Sequence, residues 1–347
     1  MLPFIIILIV LGIIAEVVSL RRDPSLVEHD YSVSVGATEP GRPFTVRSVL
    51  TNKSRIPVSY LAVREVYPEV VDIPAGVDSR ATLDGFNIKS ICRVKGLERK
   101  KLSLDLTIKK RGVHVINGVS IEFGDFLGFR VVLKKSSYQR EIVIYPEKLD
   151  DPALTQALSS YCGDMASKRF LIRDPILTAG TREYTGREPM KEIHWLQSAR
   201  RGELMVREFE YNRQPSTCVI LCTDGVGADN EAVLDKCCST ARTICEALIK
   251  TGVSVDFYTN SFLLRRGRND IWKCVVSTGH TNELLEGLGR VTAATCAEAE
   301  KLLQYVIRDS DSNAEFIVVL PDDDVHGKEL TDSFSRITGR SFTVLSC

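Results

Sequence analysis

Three signatures that would identify an enzyme or a metal protein are missing from this sequence. It contains no C-x-x-C pair among its 10 cysteines, so a structural zinc site is not expected. It also lacks a G-x-G-x-x-G fingerprint and a Walker A lysine, so a nucleotide-dependent enzyme has no support. Net charge is absent too, because 45 Lys and Arg balance 45 Asp and Glu, whereas duplex-nucleic-acid binders normally show a basic excess. We therefore predict no cofactor and no nucleic-acid partner.

The length and composition indicate a globular chain with more than one domain. The chain has 347 residues, of which 44% are hydrophobic and 26% are charged. That length suits two ordinary domains, and that composition argues against both a disordered chain and a polytopic transporter. We predict a multidomain α+β protein.

The first 20 residues form a nearly continuous apolar stretch. Residues 1–15 carry no charge, and Glu16 is the only charged residue before Arg21. As a helix, 20 residues extend roughly 30 Å, the thickness of a bilayer core. A cleaved signal peptide would need a basic residue ahead of the apolar stretch. We therefore predict a transmembrane helix over residues 1–20 that contacts the lipid bilayer.

The charges that follow this stretch predict its orientation. Arg21 and Arg22 come directly after it, and the positive-inside rule places such residues on the cytoplasmic side. The cysteine pattern suits reduced, buried thiols better than a secreted disulfide framework. We predict a single-pass protein of the cell membrane with the bulk of the chain in the cytoplasm.

The rest of the chain divides into three segments with different patterns of predicted secondary structure. Residues 31–146 alternate short strands with turns, which predicts an antiparallel β-sandwich. Residues 147–211 are a mixed segment that we interpret as a linker between domains. Residues 212–347 alternate strands, such as 217–223 and 315–320, with helices such as 231–250. This alternation predicts a doubly wound α/β domain.

Two residues of the mixed segment allow an enzymatic interpretation. His194 and Ser198 are four residues apart in a short predicted helix, so they share a face and a His-activated Ser nucleophile is one hypothesis. No strained elbow or Gly-rich oxyanion loop accompanies them. The other hypothesis is an ion-paired packing segment, with Trp195 buried as its anchor and Ser198 facing solvent.

The run REYTGREPMKEIHWLQSARRGELMVRE, residues 182–208, resembles the signature of the bacterial family called domain of unknown function 58. The matching positions are Arg182, Glu183, Tyr184, Gly186, Ile193, Trp195, Ser198, Ala199 and Arg200. Lys191 and Leu196 depart from that signature. Residues 111–129 and 142–146 are similar to two further segments of the family. The resemblance implies a β-sandwich, the signature segment with His194 inside it, and a C-terminal domain similar to von Willebrand factor type A. It also implies a MoxR-type AAA+ ATPase as a partner.

The resemblance also indicates where a metal would bind. Von Willebrand A domains often hold Mg²⁺ through D-x-S-x-S after the first strand, and the matching run here is Asp224-Gly-Val-Gly-Ala228. Val226 and Ala228 replace the two hydroxyl ligands, so we predict a degenerate site at Asp224 and no bound metal. Asp322, Asp323 and Asp324 follow a later strand, and weak binding shared with them stays open.

These observations lead to one function hypothesis and two alternatives. We expect a membrane-anchored, non-enzymatic interaction or scaffold protein that presents its A-like domain to protein partners, a MoxR-type ATPase among them. One alternative is a hydrolase that uses Ser198 and His194. The other is an adhesion module that depends on a divalent metal.

Overall fold

The computed structural model describes residues 2–20, 24–83, 85–124, 131–169, 178–209, 216–227, 230–265, 267, 270–277, 279–311, 314–321 and 342–346. The chain forms two compact units. The first contains residues 1–147 and 288–290, and the second contains residues 148–287 and 291–347. Strands account for 45% of the residues and helices for 28%, so the protein is mostly β.

The predicted fold class and localisation need correction at the N-terminus. Helix α1 (Leu2–Leu20) has 19 residues and includes Glu16. At 1.5 Å per residue it extends roughly 28 Å, slightly less than a bilayer core. Over the described ranges, the chain has no helix that combines the length and hydropathy of a membrane span. The predictions of a transmembrane helix over residues 1–20 and of a single-pass cell-membrane protein are therefore wrong. Arg21 and Arg22 lie outside the described residues.

The first unit is built from two sheets that face each other over one core. A 3-10 turn (Pro24–Leu26) precedes the strands, which are β1 (Val27–Val33), β2 (Ala37–Thr38), β3 (Phe44–Asn52), β4 (Val58–Tyr67), β5 (Val71–Asp72), β6 (Ser79–Thr82), β7 (Gly85–Val94), β8 (Arg99–Ile108), β9 (Gly112–Gly124) and β10 (Val131–Ile144). The four-stranded sheet has the order β1-β3-β8-β5, and the six-stranded sheet has the order β2-β10-β9-β4-β7-β6. Alternate side chains of both sheets fill the core, including the fully buried Tyr31, Leu50, Leu61 and Ile121.

A buried carboxyl group links the two sheets. The Ser48 hydroxyl of β3 donates a short hydrogen bond to Glu65 Oε1 of β4, and the Tyr67 hydroxyl donates to Glu65 Oε2 at 2.8 Å. Glu65 is only 7% exposed. Burial raises its pKa, and the two hydroxyl donors oppose that shift only in part. The sandwich therefore contains a carboxyl group that holds its proton more tightly in the folded state.

Side chains of β10 cover the free edge of β1. Lys134, Tyr138 and Arg140 donate hydrogen bonds to every second carbonyl of β1, from residue 27 to residue 31, at 3.2, 2.5 and 3.3 Å. Unpaired carbonyls on an edge strand invite pairing with other chains. This row of donors blocks that edge and joins the two sheets along one side.

The second unit contains a five-stranded sheet with the order β16-β14-β13-β18-β19. Its strands are β13 (Ser216–Leu221), β14 (Ser254–Thr259), β16 (Trp272–Val276), β18 (Glu315–Leu320) and β19 (Phe342–Ser346). Four strands are parallel, and β16 is antiparallel at one edge. The chain moves from β13 to β14 on one side and later returns to β18 on the other side. The carboxyl ends of β13 and β18 therefore form a topological switch point, where ligands of α/β sheets usually bind.

Helices and two small two-stranded sheets complete this unit. The helices are α2 (Pro152–Arg169), α3 (Trp195–Arg201), α4 (Glu231–Lys250), α5 (Asn282–Arg290) and α6 (Ala299–Asp309). The remaining strands are β11 (Thr178–Glu183), β12 (Met205–Phe209), β15 (Ser261–Leu263) and β17 (Val291–Thr295), and they form the two small sheets β11-β12 and β15-β17. The helix predicted over residues 231–250 is confirmed as α4, whose apolar stripe packs against the sheet. Gly252, at φ 77°, follows the end of this helix.

The buried Glu65 carboxyl predicts how the stability of the sandwich depends on pH. Its pKa is raised above the ordinary value of 4.5, so its favourable contribution is complete below pH 4.5 and is lost as pH rises through the folded pKa. We expect Glu65→Gln, which cannot ionise, to lose less stability than the wild type between pH 4.5 and pH 8. Urea denaturation followed by circular dichroism at several pH values measures this difference. Parallel pH profiles for the two proteins would contradict it.

Candidate interaction surface

Residues 178–209 form a small β-hairpin-like unit, which we call the frame, and it contains the signature segment 182–208. Strands β11 and β12 pair in antiparallel fashion and enclose a 3-10 turn (Met190–Glu192) and α3. The Tyr184 N–H donates to the Leu204 carbonyl at 2.8 Å, and the His194 N–H donates to the Met205 carbonyl at 2.7 Å. Backbone hydrogen bonds thus close the frame at both ends of the helix.

Local signals at both ends explain why the seven-residue α3 forms. His194 is its N-cap, and its Nδ1 accepts a hydrogen bond from the Gln197 N–H at 3.2 Å. Gly202 ends the helix in the left-handed region, at φ 78°, and its N–H donates to the Ser198 carbonyl. A helix this short is unstable alone, so these caps and the frame are what hold it.

Ser198 is the buried centre of the frame. Its side chain is 8% exposed, which shows that the predicted solvent-facing position is wrong. The Met205 N–H donates to Ser198 Oγ at 2.8 Å, and Oγ lies 3.0 Å from the His194 carbonyl, to which it donates. The hydroxyl is therefore occupied by backbone groups and ties α3 to β12.

His194 and Ser198 do share one helical turn, but their contact is structural. Ser198 Oγ meets the main-chain carbonyl of His194, while the His194 ring accepts the Gln197 N–H. A nucleophile and its base need a hydrogen bond from the hydroxyl to the ring nitrogen. Among the described hydrogen bonds of this segment, that contact is not found. The geometry offers no activated nucleophile at Ser198.

One ion pair shapes the loop before the helix. Glu188 accepts from the Thr185 hydroxyl at 2.8 Å and from the Thr185 N–H at 3.1 Å, and its Oε1 lies 2.7 Å from an Arg182 nitrogen. These hydrogen bonds from Thr185 and Arg182 lower the pKa of Glu188 to about 2. Gly186 turns the loop at φ 86°. Arg182 and Glu188 thus form an ion pair within the segment that was predicted to be ion-paired.

Helix α3 buries a polar side chain and exposes large apolar ones, which is the reverse of the usual arrangement. Its only buried side chain is Ser198, whereas Trp195 is 60% exposed and Leu196 is 61% exposed. The prediction of a buried Trp195 anchor is therefore wrong. Met190, at 69% exposure, and Leu204, at 46%, extend the exposed apolar set along the same segment. We call Met190, Trp195, Leu196 and Leu204 the Trp195 surface.

The other signature residues lie around this surface or beneath it. Ile193 is buried and forms a β-bridge to Val206. Arg182, Glu183, Ala199 and Arg200 are exposed, and Tyr184 is half-buried. Sequence reasoning missed Met190 and Leu204 as members of a surface. Large apolar residues within a highly charged segment were the available signal.

The exposed charges around the Trp195 surface are mostly basic. Besides Arg182, which pairs with Glu188, the exposed cations are Arg187, Lys191, Arg200, Arg201 and Arg207, and the exposed carboxylates are Glu183 and Glu203. In the described part of the chain these five cations make no ion pair. The protein has zero net charge overall, so this excess is local.

Asp224, predicted as a degenerate metal-site position, is a hydrogen-bond acceptor at the switch point. Asp224 Oδ1 accepts from Asn260 Nδ2 at 2.7 Å, and Oδ2 accepts from the Ala299 N–H at 2.5 Å. Ala299 is the first residue of α6, so Asp224 caps that helix from a neighbouring loop. Asn260 also accepts from the Thr223 N–H at 3.1 Å.

This arrangement does not fit a divalent cation. Both carboxylate oxygens of Asp224 already accept N–H groups, and Val226 places a hydrocarbon where a hydroxyl ligand would be needed. Within the described ranges, no group of three or more His, Cys, Asp or Glu side chains is placed to hold a metal ion. Ala228 and the predicted Asp322, Asp323 and Asp324 lie outside the described residues.

Comparisons with known proteins give a distant relative and partial structural similarities. No family model matches the chain. The chain is 23% identical over 209 residues to the uncharacterised protein YeaD of Bacillus subtilis (strain 168), a match that covers 60% of this chain and 49% of YeaD. The matched part thus spans about half the length of that relative. The resemblance to the family of unknown function 58 stays a prediction.

Among solved structures, a cohesin module from a Clostridium perfringens family 33 glycoside hydrolase has a TM-score of 0.27 and 15% identity. It covers 34% of this chain and 98% of that module. A cohesin from the archaeon Archaeoglobus fulgidus has a TM-score of 0.23 and 14% identity, and it covers 34% of this chain and 90% of that structure. TM-scores of this size carry no functional argument.

The Ser198 hydroxyl predicts a stability effect without a catalytic one. We expect Ser198→Ala to lower the free energy of unfolding by about 1–3 kcal/mol, because it leaves the buried Met205 N–H without an acceptor. Ser159→Ala, which removes an exposed hydroxyl from α2, should change stability by less than about 0.5 kcal/mol. Chemical denaturation of both variants measures the difference. Equal stabilities would refute the structural role of Ser198.

The Asp224 hydrogen bonds predict a capping effect that is independent of metal. We expect Asp224→Ala to cost about 0.5–2 kcal/mol, because the Ala299 N–H loses its cap. Thermal unfolding of the wild type should be the same in millimolar Mg²⁺ and in a chelator. A melting temperature raised by Mg²⁺ in the wild type and unchanged by Mg²⁺ in Asp224→Ala would restore the metal hypothesis.

Proposed function

We propose that this protein is a non-enzymatic interaction or scaffold protein that binds a protein partner through the Trp195 surface. The observation that carries the proposal is the inverted α3, which buries a serine and exposes a tryptophan and a leucine. Exposing large apolar side chains to water is unfavourable, and clusters of them commonly mark binding sites. Folding alone gives no reason for this orientation.

The rigidity of the frame supports a binding role. Trp195 is the first residue of a helix that is capped at both ends and tied to β12 by the Ser198 hydroxyl. A side chain held in its bound orientation loses little conformational entropy on binding, and tryptophan is among the residues most enriched at binding hot spots. The surface is thus preorganised around one aromatic anchor.

The charges indicate the chemistry of the partner. The segment that carries the Trp195 surface has five exposed cations that make no ion pair with described residues, against two exposed carboxylates. The complementary site is an apolar pocket wide enough for an indole ring and bordered by Asp and Glu side chains. Our proposed partner is a MoxR-type AAA+ ATPase, a choice that rests on the sequence resemblance of residues 182–208.

We expect Trp195→Ala to abolish binding to the partner without unfolding the protein. Truncating an exposed side chain should change stability by less than about 0.5 kcal/mol, whereas loss of a hot-spot tryptophan should weaken binding by at least about 2 kcal/mol. The measurement is calorimetric titration of the full chain with the MoxR-type ATPase of the same organism.

Two matched variants make this experiment decisive. Val275→Ala removes a side chain of similar exposure, 59%, from β16 and should bind like the wild type. Trp272, the second tryptophan, is 8% exposed and packs edge-on against Phe257, so its emission reports the folding of Trp195→Ala. A folded Trp195→Ala protein with unchanged binding would refute the proposed surface.

A further inference from the structure

The outer face of the six-stranded sheet in the first unit carries three aligned rows of side chains. The strand registers place Leu133, Glu122, Ala62 and Ile91 in one row across β10, β9, β4 and β7. The next row toward one end of the strands contains Lys135, Ser120, Arg64 and Lys89. The row on the other side contains Val131, Gly124 and Tyr60. We call these three rows the outer sheet face.

Apolar side chains of this face are exposed to an unusual degree. Ile91 is 63% exposed, Val131 is 58% exposed and Leu133 is 51% exposed. They lie on strands whose opposite side already fills the core of the sandwich. A sheet with apolar residues on both faces is typically covered on both, whereas these three side chains of the outer face are exposed.

The Tyr60 ring lies over Gly124 on the outer sheet face. A Cβ atom at Gly124 would lie 2.9 Å from Tyr60 Cδ1, so the ring leans across the neighbouring strand in the space that only glycine leaves. Aromatic rings placed over glycines in this way stabilise sheets. The Lys89 ammonium lies 5.6 Å from the centre of the same ring.

The outer sheet face has one carboxylate, Glu122, and three cations, so its net charge is positive. Glu122 lies in the apolar row, with Arg64 Nε 2.7 Å and Lys89 Nζ 3.4 Å from its oxygens. Lys135 extends the basic row at one end of the face, and Arg93 follows Ile91 by two positions on β7. Neither Lys135 nor Arg93 makes an ion pair in the described part of the chain.

We propose that the outer sheet face is a docking surface for an acidic amphipathic helix of a partner protein. Leu133 and Ile91 are three strand spacings apart, which is roughly 14 Å. One face of a helix covers that distance in about nine residues, so apolar side chains at i and i+8 would meet the exposed Leu133 and Ile91. Acidic residues on the helix flanks would meet Lys135 on one side and Arg93 on the other.

A helix laid across the strands uses all of these features together. An added strand would pair with a sheet edge and would leave the exposed face uncovered. The apolar row runs perpendicular to the strands, which is the direction that a crossing helix follows. This surface belongs to the first unit and is independent of the Trp195 surface of the second.

The test uses a defined probe and the full chain. The probe is a fluorescein-labelled, lactam-stapled helix of about four turns, with leucines along one face and glutamates on both flanks. We expect saturable binding by fluorescence anisotropy, and weakening by at least about tenfold in Ile91→Thr and in Leu133→Thr. Threonine keeps the β-branched shape that strands favour, so both variants should fold. Lys135→Glu should also weaken binding, and added salt should reduce it.

Three controls assign the binding to this face. Val275→Thr changes an equally exposed side chain of β16, and Trp195→Ala removes the anchor of the other surface, so both should bind the probe like the wild type. A probe with lysines in place of glutamates should not bind. The proposal is overturned if the acidic probe fails to bind, or if Trp195→Ala abolishes binding while Ile91→Thr does not. Self-association or binding to anionic vesicles that Ile91→Thr removes, without probe binding, would assign the face to another occupant.

Discussion

The hydrogen bond from the Met205 N–H to the Ser198 hydroxyl is the interaction on which the candidate site depends. It fixes α3 against β12, and the neighbouring bond to the His194 carbonyl orients the start of the helix. Ser198 is the buried side chain of this helix, and Trp195 and Leu196, which precede it, are exposed to solvent. A nonpolar residue at 198 would leave a buried N–H unsatisfied.

Buried polar side chains also connect structural elements elsewhere in the chain. Asp224, predicted as a degenerate metal-site position, uses both carboxylate oxygens to hold Asn260 and the start of α6. Glu65 bridges the two sheets of the sandwich through Ser48 and Tyr67. Residues that a sequence pattern suggests for chemistry thus act as internal hydrogen-bond acceptors. The exposed apolar side chains remain as the features that suit binding.

Periodic segments were predictable because their signal is local. Helix α4 was bounded correctly from its apolar stripe and Gly252, and the strand predicted at 315–320 coincides with β18. The edge strands β16 and β17 were missed, because strands of five residues without strong alternation give little local signal. The membrane prediction at residues 1–20 rested on composition alone and was wrong, because no described helix is long and apolar enough to cross a membrane. Trp195 was misplaced because hydrophobicity predicts burial only on average.

The sequence by itself determined the change from short strands to alternating strands and helices, the absence of zinc, dinucleotide and Walker A motifs, and the dense signature between residues 182 and 208. Those properties depend on spacing along the chain, which any reader of the sequence can measure. Only the tertiary structure decided which side of α3 is buried and which hydroxyl satisfies the Met205 N–H. It alone aligned Leu133 with Ile91 across four strands, through residues 42 positions apart in the sequence. Burial and register arise from contacts between distant segments, so no local pattern contains them.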